Sequence, residues 1–491
     1  MHVRTTVNRK IEGEGEIAMT SPTDTWQHRR VTIMGLGLFG GGVGLARYLA
    51  QQGANVTVTD LQTAEKLSAS LNALASLPIR FVLGEHRQQD FTDTDAVFVN
   101  PAVPLTSPYL DLARQHQVPL DSEINLFVRQ CRGRVIGITG SVGKSTTTSL
   151  LGSILQLHDA RTQVGGNIGG SLLPSLDAIT PNTPVVLELS SFQLEHLAWQ
   201  SYSPPVALVL NLTPNHLDRH GTMAAYQQAK EGILTHQTPA DTAILNWDDA
   251  IVRDMASRTS GRQLFYSTEV AFDEGVYCQD DRVIYASEGQ RTVLCHATDV
   301  TLRGKHNLGN AAAAAAAAAI LGVPPATIAQ GLKRFQGLPH RLERVTLKKG
   351  VCYYNDSKAT TPASTLRALE AFEHPVVLLA GGYDKGTPFD ELAHAAYHKT
   401  KATIVYGATA AKLVQAFERA AHQTLSESTQ AGRAQVIQCA DLKAALAQAV
   451  ALTAPGDVVL LSPACASYDQ FPHYEARGDF FRTWVQELPD A

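Results

Sequence analysis

Short apolar runs rich in β-branched residues recur along the chain with longer mixed stretches between them. That rhythm predicts parallel strands alternating with helices. The runs fall into three groups. The first holds RVTIMG, NVTVTD and AVFVN and closes around Phe127. The second holds RVIGITG, PVVLELS, VALVLN and AILN, and FQGLPHR follows its last helix. The third holds CYYND, PVVLLAGG, ATIVYG and DVVLLSPA. Each group can carry its own doubly wound sheet, with ligands at the carboxyl ends of the strands. Ala311 to Ala319 is an unbroken alanine run after GKHNLGN. Alanine is the best helix former, so the run predicts a closely packed, buried helix that starts with polar side chains.

The strand RVIGITG runs into GITGSVGKST and then into KSTTTSLLGSIL, a strand, a glycine turn and a helix. In that setting backbone N–H groups and a helix N-terminus face a phosphate. Gly140, Ser141, Val142, Gly143, Lys144, Ser145 and Thr146 form the candidate loop, with Lys144 toward the β- and γ-phosphates and Ser145 toward Mg²⁺. Its first position departs from the usual G-x-x-x-x-G-K-[ST] pattern, because Ile138 stands where glycine is expected. In the first group, Gly35, Gly37 and Gly40 with Asp60 at the next strand end have the spacing of a dinucleotide fingerprint. The same turn can hold the phosphates of another nucleotide.

Two strands of the second group end in polar residues. Glu188 closes an otherwise apolar strand, where a carboxylate is costly unless paired or bound to metal. Asn211, Asn215, His216 and Asp218 follow the next one. Beside a phosphate loop, Glu188 and His216 make a Mg²⁺ site. In the third group, Asp356, Ser357 and Lys358, then Lys385, then Ser462, Ser467 and Tyr468 stand at three strand ends, which implies a binding crevice. His340 and Arg341 lie near an expected domain boundary.

Composition narrows the class. The chain has 491 residues, 44% hydrophobic and 18% charged, with a net charge of −5. That length calls for several domains, and the charge argues against a general nucleic-acid binder. No apolar run is long enough to span a bilayer. The six cysteines are scattered, which suggests neither zinc nor a disulfide framework. Residues 1–29 are polar, lack a secretory core and are expected to be a disordered extension, with Met19 a second candidate start. The residues thus read as an ATP-binding centre flanked by two further ligand sites, favouring a kinase or an ATP-dependent ligase over a simple hydrolase.

In order, TGSVGKST, GGNIG, LELSSFQLE, NHLDRHGTMAAYQQAK, GKHNLGNA, GLPHRLE, NDSKAT, GGYDKG and SPACASYDQF resemble the motifs of the Mur ligases over residues 31–485. Within that family they look most like the members that join D-glutamate to UDP-N-acetylmuramoyl-L-alanine. The resemblance implies three α/β domains: a Rossmann-like N-terminal domain for the UDP-substrate over 30–127, a central P-loop ATPase-type domain with a mixed or parallel sheet over 128–337, and a Rossmann-like C-terminal domain for glutamate over 338–491. It implies a cytoplasmic, monomeric enzyme of peptidoglycan precursor synthesis that uses ATP and Mg²⁺ and passes through an acyl phosphate. Other members of the ligase class, adding L-glutamate or another amino acid or lengthening a folyl polyglutamate, are the alternative.

By position, Glu188 and His216 match magnesium ligands, and Lys230 matches a lysine that carries a CO₂-derived carbamate. From the residues alone Lys230 reads as an ordinary exposed helix lysine. Asn307, Asn310, Arg341 and Asp356 match nucleotide contacts, and Lys358 a phosphate contact. Thr360, Lys385 and Ser467, with Tyr468 and Tyr474, surround the incoming glutamate. Leu38, Phe39 and Asp60 match the uridine side, and Asn167 and Ser191 the substrate side of the central domain. The chain departs from the family pattern at Val142, usually Asn, and at Phe39, NPAVP, Thr361-Pro362, Tyr468 and Tyr474.

Overall fold

The computed structural model describes residues 25–37, 40–300, 302, 304–373, 376–384, 386–426 and 435–489. Leu38, Phe39, Lys385 and most of the N-terminal extension lie outside the described residues. Two compact units form. One comprises the chain up to Tyr277 with Tyr285–Arg291 and Ala313–Thr327; the other comprises Cys278–Ile284, Thr292–Ala312 and Ile328–Ala491.

The first unit holds two sheets. β1 (Arg30–Met34), β2 (Asn55–Asp60), β3 (Ile79–Leu83), β4 (Ala96–Val99) and β5 (Leu120–Asp121) lie in the order β3-β2-β1-β4-β5, all parallel. Trp26 is buried against Phe98 with ring centroids 5.4 Å apart, so folded structure begins before residue 30, inside the span expected to be disordered. In the next sheet, β6 (Arg134–Thr139), β7 (Gln163–Gly166), β8 (Pro184–Glu188), β9 (Val206–Val209), β10 (Thr242–Asn246), β11 (Arg262–Ser267) and β12 (Gly275–Gln279) lie in the order β12-β11-β10-β9-β6-β8-β7. These pairs are parallel as well. β6 sits at the point where the strand order reverses, which is where open α/β sheets bind ligands.

The second unit holds β13 (Glu343–Lys348), β14 (Val351–Asn355), β15 (Val376–Gly381), β16 (Thr400–Tyr406), β17 (Gln435–Cys439) and β18 (Val458–Leu461). Their order is β13-β14-β18-β15-β16-β17, and only the edge pair β13–β14 is antiparallel. β15 is buried along its whole length, as a strand covered on both faces must be. The alanine run forms part of the helix Lys305–Ile320, and Ala311 to Ala318 are fully buried, as expected. Among the described residues no helix is long and apolar enough to cross a membrane.

The helix Gly41–Gln51 approaches β1 through glycine. A Cβ on Gly42 would lie 2.1 Å from the Leu36 carbonyl oxygen, whereas one on Gly41 meets nothing within 4 Å. Gly42→Ala is therefore expected to cost about 1–3 kcal/mol through overpacking. Gly41→Ala should be neutral or stabilising by up to about 1 kcal/mol, because it restricts the unfolded chain at an unhindered first helical position. Thermal unfolding of the two variants checks this; equal melting temperatures would contradict the packing argument.

Candidate active site

The turn after β6 depends on backbone geometry rather than on side-chain identity. Gly143 has φ 88° and caps the helix Lys144–His158. Gly140 has φ 155°, and a Cβ there would stand 3.0 Å from Leu210 Cβ. Asn211, just beyond β9, clamps the turn: its carbonyl accepts from Ser141 N at 2.9 Å, its Oδ1 from Val142 N at 2.9 Å, and its Nδ2 donates to Val142 O at 2.8 Å. Both peptide groups of Val142 are thus occupied while its side chain is exposed, which explains why a valine is tolerated there. Ser141 Oγ, buried, donates to Thr213 O at 2.8 Å and lies 3.1 Å from Tyr226 OH. Lys144 Nζ donates to the carbonyls of Gly140 and Ser141 at 2.9 and 3.1 Å. Ser145 is buried at the start of the helix and Thr146 is half-buried beside it.

Glu188 lies on β8 directly beside Ile138 of β6. It is 2% exposed. Asn167 holds it twice, donating from Nδ2 to Oε1 at 2.9 Å and from its backbone N to Glu188 O at 2.8 Å. Glu188 Oε2 is buried without a hydrogen-bond partner. A carboxylate oxygen left in that state costs folding energy unless a cation or donor meets it.

Lys230 lies in the helix Met223–Glu231 and is 1% exposed, which corrects the plain reading of it as a surface lysine. Its Nζ donates to Gly140 O at 2.8 Å and Thr139 Oγ1 at 3.2 Å, and sits 4.9 Å from the Tyr226 ring centroid. Burial, then the Lys144 charge, hold its pKa well below the ordinary lysine value, with Glu188 opposing. His216 has φ 53° and packs edge-on to Phe192 at 5.1 Å. Burial, Lys144 and Lys230 lower its pKa while Asp218 raises it. Lys144 and Glu188 therefore act on Lys230, and Lys144 and Lys230 on His216.

These residues fit a divalent cation: an orphaned carboxylate oxygen, an imidazole held neutral and the buried hydroxyl residue Ser145. Among the described residues no group of three or more His, Cys, Asp or Glu could hold a metal ion. A further anionic oxygen would have to be made, and a carbamate on the Lys230 amine would supply one.

Sequence reasoning missed two neighbours. His220 Nε2 lies 2.9 Å from Ser191 Oγ, its Nδ1 lies 3.3 Å from Glu195 Oε1, and its ring stacks on Phe192 at 5.3 Å. The order of groups resembles a serine–histidine–carboxylate relay, but Ser191 is 2% exposed, so the histidine holds a hydroxyl in place rather than arming an open nucleophile. The Arg219 guanidinium packs over Phe192 at 5.3 Å and donates to Ala102 O and Val103 O at 3.3 and 2.7 Å, fixing the NPAVP turn. Both lie in HLDRH, where only the spacing to His216 could have drawn attention.

At the first sheet, Asp60 accepts from Leu36 N at 2.8 Å through Oδ2 and from Gln62 N at 2.8 Å through Oδ1, bracing the glycine turn. A Cβ on Gly40 would lie 3.8 Å from Gly170 Cα, so the turn packs on the loop that carries Asn167. That loop is tied by Ser171 Oγ donating to Glu123 Oε1 at 2.6 Å, and burial pushes the Glu123 carboxyl to about 7.

In the second unit, Asn310 Nδ2 donates to Asn307 Oδ1 at 3.0 Å, both buried at the start of the alanine helix. Asp356 accepts from Ser462 Oγ at 2.8 Å and Leu342 N at 3.2 Å, and burial raises its pKa to about 7. Arg341 is half-buried and reaches it electrostatically. Lys358 Nζ sits 5.3 Å from the Tyr474 ring centroid, and Thr360 N donates to Lys358 O at 2.9 Å. Ser467 Oγ is buried without a partner, while Tyr468 is 65% exposed and meets Tyr383 edge-on at 6.0 Å.

Three family models match in the same order: a MurD-like N-terminal domain over 29–121, the Mur ligase middle domain over 138–318, and the Mur ligase glutamate ligase domain over 340–465. A UDP-N-acetylmuramoylalanine–D-glutamate ligase of Roseiflexus sp. (strain RS-1) is 44% identical over 472 residues, covering 94% of this chain and 99% of that one. A protein of the same name from Symbiobacterium thermophilum is 40% identical over 461 residues, covering 94% and 98%. The chain belongs to the Mur ligase family. A solved structure of the UDP-N-acetylmuramate-alanine ligase MurC from Thermotoga maritima shares the fold with TM-score 0.58 at 18% identity, covering 94% of this chain and 99% of that one. Membership of the family implies the use of ATP, and the three-domain α/β expectation holds in the family match and in the three sheets.

Lys230 gives a stability test. A folded-state pKa depressed below the unfolded value means the amine must shed its proton to fold, so stability falls as pH drops from above 10 toward neutrality. In buffer freed of CO₂, Lys230→Met should melt above the native chain at pH 7, by a margin that shrinks toward pH 9. A variant melting lower at pH 7, or a constant margin, would contradict the neutral buried amine.

Proposed function

We propose that this chain is an ATP-dependent amide ligase that adds D-glutamate to UDP-N-acetylmuramoyl-L-alanine in peptidoglycan precursor synthesis. The observation that carries the reading is the phosphate loop flanked by the orphaned Glu188 oxygen and the buried Lys230 amine, whose pKa is lowered. Near-complete coverage of relatives that bear this activity in their names supports it. The alanyl carboxylate attacks the γ-phosphorus of ATP and ADP leaves, giving an acyl phosphate. The amine of glutamate then attacks the acyl carbon and loses a proton, and the tetrahedral adduct expels phosphate.

The loop N–H groups and Lys144 hold the ATP phosphates and stabilise charge that grows on them. Glu188, His216 and Ser145 would hold Mg²⁺, joined by Lys230 as its carbamate. Bound there, the cation would supply charge neutralisation on the phosphoryl oxygens. The lowered pKa of Lys230 favours the unprotonated amine, the form that adds to CO₂, forming the N–C bond and releasing one proton. Asn307, Asn310, Arg341 and Asp356 contact the nucleotide, and Lys358 the transferring phosphoryl group. In this reading Thr360, Lys385, Ser467, Tyr468 and Tyr474 serve glutamate, the acyl acceptor; Leu38, Phe39 and Asp60 serve the uridine, and Asn167 and Ser191 the substrate that supplies the acyl group. The enzyme acts in the cytoplasm as a monomer.

ADP release with UDP-N-acetylmuramoyl-L-alanine and ATP, offering D- and L-glutamate separately, tests the reading. Release with D-glutamate is expected; release with L-glutamate alone, or with neither, overturns it. Lys230→Ala should lower turnover by about two orders of magnitude or more, with partial rescue by short carboxylates. Native turnover in that variant would remove the carbamate.

A further inference from the structure

Arg477 is the largest fully buried side chain, with 0% exposure, and no step of the proposed reaction uses it. It lies in the helix Tyr474–Gln486. Its Nε donates to Ser357 Oγ at 3.0 Å and its Nη2 to Ser357 O at 2.9 Å. Nη2 also donates to Cys465 O at 3.0 Å, and Nη1 to Ala466 O at 3.2 Å. Ser357 stands between Asp356 and Lys358 after β14, and Cys465-Ala466 precedes Ser467 after β18. One guanidinium therefore ties together the two loops from which Lys358 and Ser467 project.

A third loop closes on it. Tyr383 N, after β15, donates to Ala466 O at 2.8 Å. A Cβ on Gly382 would fall 2.2 Å from Ala466 O and 3.1 Å from Arg477 Nη1, so only glycine lets this loop seat over the guanidinium. Ser357 Oγ in turn donates to Tyr474 O at 2.7 Å, and the Tyr474 ring carries Lys358 Nζ above it. Among the described residues no carboxylate pairs with Arg477. Its charge is met by three carbonyl oxygens and the Ser357 hydroxyl, at a desolvation cost that a purely packing residue would not incur.

We infer that Arg477 is the positioning residue of the amino-acid crevice: it sets Lys358, Ser467 and the Tyr383 loop, and its uncompensated charge favours an acidic amino acid there. This rests on the proposed function. A buried cation is shielded little by salt, so its field reaches nearby carboxylates far better than a surface lysine would. The guanidinium fork gives the geometry and the charge gives the preference, and the two can be separated because lysine keeps only the charge.

The test compares Arg477→Lys, Arg477→Met and Ser357→Ala with the native chain, by steady-state kinetics in ATP and in glutamate and by thermal unfolding. Arg477→Met should raise the KM for glutamate about tenfold or more while leaving the KM for ATP within about twofold. Arg477→Lys should lower kcat yet keep the native preference for glutamate over glutamine. Ser357→Ala, which removes one acceptor, should move kcat in the same direction by less. A folded Arg477→Met with an unchanged KM for glutamate, or with equal rises in both KM values, overturns the inference. If Arg477→Met does not fold, native kcat in both Arg477→Lys and Ser357→Ala overturns the inference. A native chain that ligates a different amino acid overturns the proposed function instead, and the KM for that amino acid then decides the role of Arg477.

Discussion

Glu188 and Lys230 are taken out of water at the carboxyl end of one parallel sheet, and no ion pair joins them. The carboxylate keeps one oxygen satisfied by Asn167 and one orphaned. Burial, then the Lys144 charge, lowers the pKa of the amine, whose hydrogen bonds go to Gly140 O and Thr139 Oγ1. That arrangement is poor for stability. Under the proposed function the site is completed by what binds there, a cation for the oxygen and CO₂ for the amine. Much of the first unit serves this pair. β6 and β8 set Glu188 beside the phosphate loop, Gly166 with φ 93° lets Asn167 turn back onto it, and Tyr226 roofs the amine.

Both units solve a common problem in different currencies. Polar groups must converge at strand ends without unsatisfied donors and acceptors accumulating in the core. In the first unit the side-chain amide of Asn211 and the hydroxyl of Ser141 knit the turn after β6 to the turn after β9. In the second, one buried guanidinium does so for two turns, and a third is bonded to one of them through Tyr383 N. Side-chain identity is consequently free to vary where the backbone is already held, as at Val142.

The strands legible in the sequence were those that are apolar on both faces, such as β6, β8, β9, β15 and β18. β3, β7, β13 and β17 escaped, because an edge strand is wetted along one side and carries residues such as Arg80, Gln163, Glu343 and Gln435. Glu188 was legible because a carboxylate at the end of PVVLE contradicts its surroundings. Lys230 was not, since a lysine in a helix is ordinary until its face is known; its place four residues after Tyr226, on the same buried stripe, is the clue. Arg477 was hidden likewise, at the head of a stripe continued by Phe481 and Val485.

Under the proposed function the buried Lys230 amine takes up CO₂ and completes the cation site beside Glu188. Carbon-13 NMR of the protein equilibrated with ¹³C-bicarbonate and Mg²⁺ measures this directly. A carbamate carbonyl resonance should appear in the native chain and vanish in Lys230→Met. No such resonance, or one that persists in the variant, would contradict the account.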